Sequence, residues 1–234
     1  MKALNMARPS ALTGLVLLSC FVVATANAQS APAPVLKVGD RWVYNVKSGV
    51  GINPITYQET REVTAVSRGS AKVTITGKNA NGQDFTRVDE YSGPGALRYG
   101  APCADEAYRF PTPLQRVTFP LGPGQRSSKW VDVIAEPGGN KGQINYAYRT
   151  RSWDKQNVPA GSFDSIRVDT QMTLDDSTPF RYATECNFSY WYSPAVRGTV
   201  REQRWAQYTQ IGDIQGRMPV LSMHYELASF TPGK

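Results

Sequence analysis

Residues 158–174, Val158-Pro159-Ala160-Gly161-Ser162-Phe163-Asp164-Ser165-Ile166-Arg167-Val168-Asp169-Thr170-Gln171-Met172-Thr173-Leu174, decide the fold class. Proline and glycine at 159 and 161 mark a turn. Ile166, Val168, Thr170, Met172 and Leu174 then point one way, while Arg167, Asp169, Gln171 and Thr173 point the other, the period of a half-buried strand. A loop at Asp175-Asp176-Ser177-Thr178-Pro179 follows. Beyond it Tyr182, Thr184, Cys186, Phe188, Tyr190 and Tyr192 repeat the period of two as far as Ser193-Pro194. The pair reads as one long hairpin with an apolar face.

Working outward, similar runs recur about every ten residues. Trp42, Tyr44 and Val46 share a face. Strands are expected over 60–67, 71–77, 83–91, 130–135, 144–150, 198–208 and 220–230, separated by turns such as Arg68-Gly69-Ser70 and Pro137-Gly138-Gly139-Asn140. The stretch from Ser92 to Pro123 is rich in proline and glycine. Only short strands, such as 116–119, and one helical turn near Cys103–Tyr108 are expected there. No later segment of ten or more residues shows helical periodicity. The pattern predicts an all-β protein of about ten antiparallel strands, a single sheet curled into a half-open barrel or a β-sandwich, with few or no helices after the N-terminal segment.

That N-terminal segment carries Lys2 and Arg8, then an apolar run over 11–26 that closes with Ala26-Asn27-Ala28. This is the pattern of a signal peptide over residues 1–28, cleaved near Ala28, which sends the chain to the periplasm or outside the cell. Leu17-Leu18-Ser19-Cys20 offers the lesser alternative, a lipid anchor at Cys20. The continuing apolar run Phe21-Val22-Val23-Ala24 argues against it. Neither this run nor any later one reaches the ~20 residues of a spanning helix, so no transmembrane segment is expected. Residues 29–36, with Pro32 and Pro34, read as a flexible leader, because proline removes donors and restricts its neighbours. Residues 37–234 read as one all-β domain.

Removing Lys2 and Arg8 lowers the formal charge from +7 to +5. The excess is dispersed. Arg149 and Arg151, or Arg197, Arg201 and Arg204, read as solvated strand faces, so nucleic acid is not an expected partner. Only Cys103 and Cys186 follow the signal segment, an even pair in an oxidising compartment, and a disulfide between them is the leading expectation. Two thiols are too few for a structural zinc site, and no metal or cofactor is expected.

No catalytic residues emerge. The one histidine, His224, lies on a polar strand face with Glu226, which is placed to pair with it. Asp175-Asp176 and Asp89-Glu90 are adjacent, and neighbours on a strand point to opposite faces, so neither pair can flank one bond. The unusual feature is the aromatic load of five Trp, twelve Tyr and eight Phe. Period-two counting puts Trp153, Trp191 and Trp205 opposite the core faces. Their rings then meet a second sheet, a lipid or other apolar small molecule, or a protein partner. Two functions follow: binding of an apolar ligand or lipid, or a non-catalytic protein-interaction module of the cell envelope.

Val158-Pro159-Ala160-Gly161-Ser162-Phe163-Asp164, followed by Trp191-Tyr192-Ser193-Pro194-Ala195-Val196-Arg197-Gly198-Thr199-Val200-Arg201, resembles exported bacterial domain-of-unknown-function proteins of the TapB-like kind. Gly39-Asp40-Arg41-Trp42-Val43-Tyr44 looks like theirs too. Many members have glycine where this chain has Ala195. The resemblance implies export and supplies no activity or catalytic residue. By looser analogy the expected shape looks like the curved, half-open sheets of LolA/LolB-style lipoprotein carriers.

Overall fold

A computed structural model describes residues 29–49, 54–79, 82–103, 106–174, 182–210, 212 and 216–234. The signal segment, Cys20 and Asp175-Asp176 lie outside these residues. Among those described, twelve strands form: β1 Arg41–Ser48, β2 Ile55–Ser67, β3 Ser70–Lys78, β4 Asp84–Gly93, β5 Ala96–Gly100, β6 Ala107–Gln115, β7 Arg126–Glu136, β8 Lys141–Val158, β9 Gly161–Leu174, β10 Thr184–Ser193, β11 Gly198–Thr209 and β12 Arg217–Thr231. A 3-10 turn, Pro194–Val196, joins β10 to β11.

The fold is all-β as the alternation predicts, but the half-open barrel or sandwich is not what forms. Each strand pairs antiparallel with its sequence neighbour, and β12 pairs with β1 from Arg41↔Thr231 to Ser48↔Met223, closing the ring. The reason lies in the ends of the chain. An open sheet would leave β1 and β12 as long edges with unpaired backbone groups, and pairing them satisfies both at once. Outward positions carry residues such as Lys47, Glu62, Lys72 and Glu90, which suit water rather than a hydrocarbon band. Among the described residues no helix is long and apolar enough to cross a membrane.

Eight strands make a barrel that ordinary side chains just fill, so a twelve-stranded ring needs large groups inside. Tyrosine supplies many of them: Tyr44, Tyr146, Tyr148, Tyr190, Tyr192 and Tyr225 are all buried. The interior holds two apolar clusters, one around Ile144, Ile166, Val168 and Met172 and one around Trp42, Val46, Val63 and Leu227. Cys103 and Cys186 are bonded, with Cα atoms 6.0 Å apart, and both are buried in the first cluster.

The proline-rich stretch departs from expectation. Arg116–Phe119 is not a strand, and β6 runs through Pro111 and Pro113 instead. Phe110–Pro113 falls where the register with β5 shifts and where pairing with β7 has ended at Arg109, so no ladder bond there needs a proline N–H. Residues 29–36 do not run free of the barrel either. Ala31 is fully buried and exchanges two backbone hydrogen bonds with Leu121 (2.7 and 2.8 Å), and Tyr192 Oη donates to the Pro32 carbonyl at 3.2 Å. Prolines cannot donate, but their carbonyls still accept.

Before Ile166, β9 pairs with β8 but not with β10, and this end of the β8–β9 hairpin folds back over the outside of the wall. The Ala160 N–H donates to Leu227 O on β12 at 2.9 Å, and Arg201 on β11 donates to Gln156 Oε1 and to Asn157 O. The turn predicted at Pro159-Ala160-Gly161 is therefore a docked end.

Candidate functional site

Three strands carry oppositely charged residues two positions apart, so that both members face the lumen: Glu59 and Arg61 on β2, Arg87 and Asp89 on β4, Glu202 and Arg204 on β11. Arg61 Nε donates to Glu59 Oε1 at 2.7 Å, and Arg204 Nε donates to Glu202 Oε1 at 2.8 Å. Arg61 also reaches Glu202 Oε2 at 3.4 Å, which joins the β2 and β11 pairs into one chain of four charges. The Arg61 guanidinium lies 4.6 Å from the Tyr44 ring centre and 5.1 Å from that of Tyr225, packed between two aromatic faces. Burial raises the Glu202 carboxyl, but Arg204 and Arg61 outweigh it and hold the group down at about 2. The cluster sets two carboxylates against two guanidinium groups, and Glu202 within it is ionised at pH 7.

Arg204 is thus not on a solvated face as its sequence position suggested. The missed signal was the Glu-x-Arg spacing inside otherwise apolar alternations, Tyr57-x-Glu59-x-Arg61-x-Val63 and Val200-x-Glu202-x-Arg204-x-Ala206. A charge pair at period two belongs to whichever face its neighbours define. Outside the barrel, Glu226 bonds Arg201 at 2.8 Å, and the pairing expected with His224 does not form.

Above the charge cluster, a cavity of about 500 Å³ opens at the mouth crossed by the leader. Val35 and Leu36 form its outer wall, while Trp42, Val73 and Tyr91 form its inner wall. Arg61, Arg116 and Arg197 line it too, and among the described residues no carboxylate does. Its geometry is fixed by two anchors. Asp40, fully buried, accepts the N–H groups of Lys37 and Gly233 and pairs with Arg197 at 3.1 Å, tying the start of β1 to the end of the chain. Trp42 Nε1 donates to Val196 O at 2.8 Å. A Cβ at Gly198 would sit 2.8 Å from that same nitrogen, so the glycine after the 3-10 turn is there to admit the indole.

The three tryptophans singled out by counting are not brought together. Trp191 pairs across the sheet with Arg167 and Arg201 and so faces outward, yet it is buried. The folded-back hairpin end lies over this part of the wall, and the Arg167 guanidinium lies 5.3 Å from the Trp191 ring. The V-P-A-G and W-Y-S-P stretches, about thirty residues apart in sequence, therefore meet here. Trp153 sits opposite Ile166, packs against the first cluster and donates to Gln29 O at 2.8 Å. Trp205 is 43% exposed on the outer wall. The indole that lines the cavity is Trp42.

No protein-family model and no curated protein matches the sequence. The fold is similar to that of an exported protein with a YmcC-like fold from Bacteroides fragilis, at 16% identity over 86% of this chain and 99% of that one, with a TM-score of 0.51. Two further solved structures match over most of their length. One is a lipoprotein from Parabacteroides distasonis (16% identity, 87% of this chain, 100% of that one, TM-score 0.49), the other the hypothetical lipoprotein YmcC from Escherichia coli (8%, 82%, 85%, 0.42). At these identities the likeness is one of fold alone.

Proposed function

We propose that this is an exported protein of the cell envelope that binds an apolar ligand, a lipid or a similar small molecule, in the cavity beneath its leader. The observation that carries this reading is the wall of Val35, Leu36, Trp42, Val73 and Tyr91 around about 500 Å³, the size and character of a small-molecule site. Export is supported by the signal-like pattern of residues 1–28, by the Cys103–Cys186 bond, and by the exported Bacteroides fragilis protein of similar fold. We also read the chain as a relative of the TapB-like exported proteins, on the two motif stretches that meet at the hairpin end.

Native mass spectrometry of freshly purified mature protein, with a neutral naphthylamine dye as fluorescent probe, tests the binding. A retained apolar mass, or dye fluorescence that Ala71→Phe abolishes by filling the cavity, is the expected result. If the protein retains nothing and binds no dye, or if Ala71→Phe binds dye as well as the parent, the reading fails. The envelope docking role, resting on the exposed Trp205, then takes its place.

A further inference from the structure

Among the described residues the charges that face the interior do not balance, and the surplus lies in the cavity. Arg61 and Arg204 are matched by Glu59 and Glu202, Arg87 by Asp89 at 3.2 Å, and Arg197 by Asp40. Arg116 is the remaining cation, and among the described residues no carboxylate lies within ion-pair distance of it. Glu202, whose field reaches it, is already held by Arg204 and Arg61.

The backbone fixes where this surplus sits. The Arg116 N–H donates to Gly95 O at 2.7 Å, and its carbonyl accepts from Tyr146 Oη at 2.9 Å, so the main chain is pinned on both sides. Its guanidinium lies 5.8 Å from the Tyr190 ring. The phenols of Tyr91, Tyr146 and Tyr190 are raised by burial, Tyr146 to about 12, and stay neutral at pH 7. They can solvate a charge beside Arg116 but cannot cancel it. A partly buried cation with no counter-charge is costly, and a planar guanidinium is suited to two-point contact with a carboxylate or phosphate.

We propose that the ligand is an anionic amphiphile, whose apolar body lies along Val35, Leu36 and Val73 and whose carboxylate or phosphate head is received by Arg116. This rests on the reading of the cavity as an apolar-ligand site. The head completes the charge balance of the interior, and the chain lies against the leader. A neutral chain of the same length gains the second contact only, and a cationic one meets repulsion from Arg116.

The test is a titration of the mature protein at pH 7 with four twelve-carbon compounds: laurate, dodecyl phosphate, dodecanol and dodecyltrimethylammonium, each read by displacement of the neutral naphthylamine dye. Laurate or dodecyl phosphate should bind at least about tenfold more tightly than dodecanol, the weight of one charge-assisted hydrogen bond. Dodecyltrimethylammonium should bind more weakly than dodecanol, and added salt should narrow the spread. The tighter of the two anions assigns the head group, carboxylate to a free fatty acid or phosphate to a phospholipid, and either upholds the proposal. Within Arg116→Met the anions should bind no more tightly than dodecanol does to the same variant, and Arg116→Lys should keep part of the preference. Equal binding of all four compounds by the parent protein overturns the proposal, whether or not the variants fold. So does a preference that survives in Arg116→Met. In both cases binding of dodecanol leaves the apolar-ligand reading standing, whereas failure of all four compounds and of the dye removes both.

Discussion

Arg61 on β2 and Glu202 on β11 meet at 3.4 Å across the lumen, although β1 and β12 separate their strands in the wall. The contact is a strut between parts of the ring that share no backbone hydrogen bond. Glu202 also holds Arg204, so one carboxylate anchors two partly buried guanidinium groups.

The strut makes stability depend on pH with a definite sign. Glu202 is held at about 2 against an ordinary value of 4.5, so its folded form binds its proton less readily than its unfolded form. The stabilisation is fully present above about pH 5 and is lost as pH falls toward 2, amounting to about 3 kcal/mol. Urea unfolding at pH 7, 4 and 2.5 should show this decline, and Glu202→Gln should flatten it. At pH 7 Glu202→Gln should itself cost about 3–5 kcal/mol, because Arg204 loses its carboxylate and Arg61 one of its two, and Glu202→Leu with Arg204→Met should recover part of that loss.

Cys186→Ser should lower stability by about 2–5 kcal/mol, since the bond closes a loop spanning 83 residues and both sulfurs lie in the core. Unreduced mass spectrometry should find the Cys103–Cys186 peptide pair. Free thiols in both positions, in material from an oxidising compartment, would contradict the structure.

Gly198→Ala should cost about 1–3 kcal/mol, because the new methyl meets the Trp42 indole at 2.8 Å and pushes it off Val196 O. The same change should shift the tryptophan emission spectrum and weaken dye binding, since Trp42 lines the cavity. An unchanged spectrum with unchanged stability would show that the indole is not packed there.

The tryptophans that counting grouped together should separate by thermal unfolding. Trp191→Ala should cost about 3–5 kcal/mol, as for a large buried ring. Trp191→Phe should cost only about 1 kcal/mol, since the indole N–H has no hydrogen-bond partner among the described residues. Trp205→Ala, at an exposed site, should stay within about 0.5 kcal/mol of the parent. Similar losses at both positions would refute the burial of Trp191 beneath the hairpin end.

Much of the wall was legible because side-chain direction in a strand is a local property. Ile166 through Leu174 and Cys186 through Tyr192 face the interior as their alternation says, and the cysteines were the one pair left to bond. Closure was not legible, because the pairing of Arg41 with Thr231 depends on the sum of twist over all the strands and leaves no mark on either. β6 was hidden by Pro111 and Pro113, which look like breakers until the neighbouring strands are seen to leave them unpaired. The charged site was misread for a different reason. Arginine and glutamate are usually outside, and only their registration with Tyr57, Val63, Val200 and Ala206 reveals that these four are not. Trp191 shows the converse: its outward direction was correctly counted, but a hairpin end that folds back from β8 and β9 covers it.

The β1–β12 seam sets an order of events as well as a shape. Every other strand finds its partner within a short stretch of chain, so those hairpins can form while synthesis is still under way. The first strand must wait until the last has emerged, nearly the whole length of the protein later, with one edge unsatisfied in the interval. Closure is the one strand pairing in this ring that joins segments far apart in sequence, the kind of contact that is slow to form. A chain cut short before Arg217 keeps two open edges and is a template for self-association rather than a slightly smaller barrel.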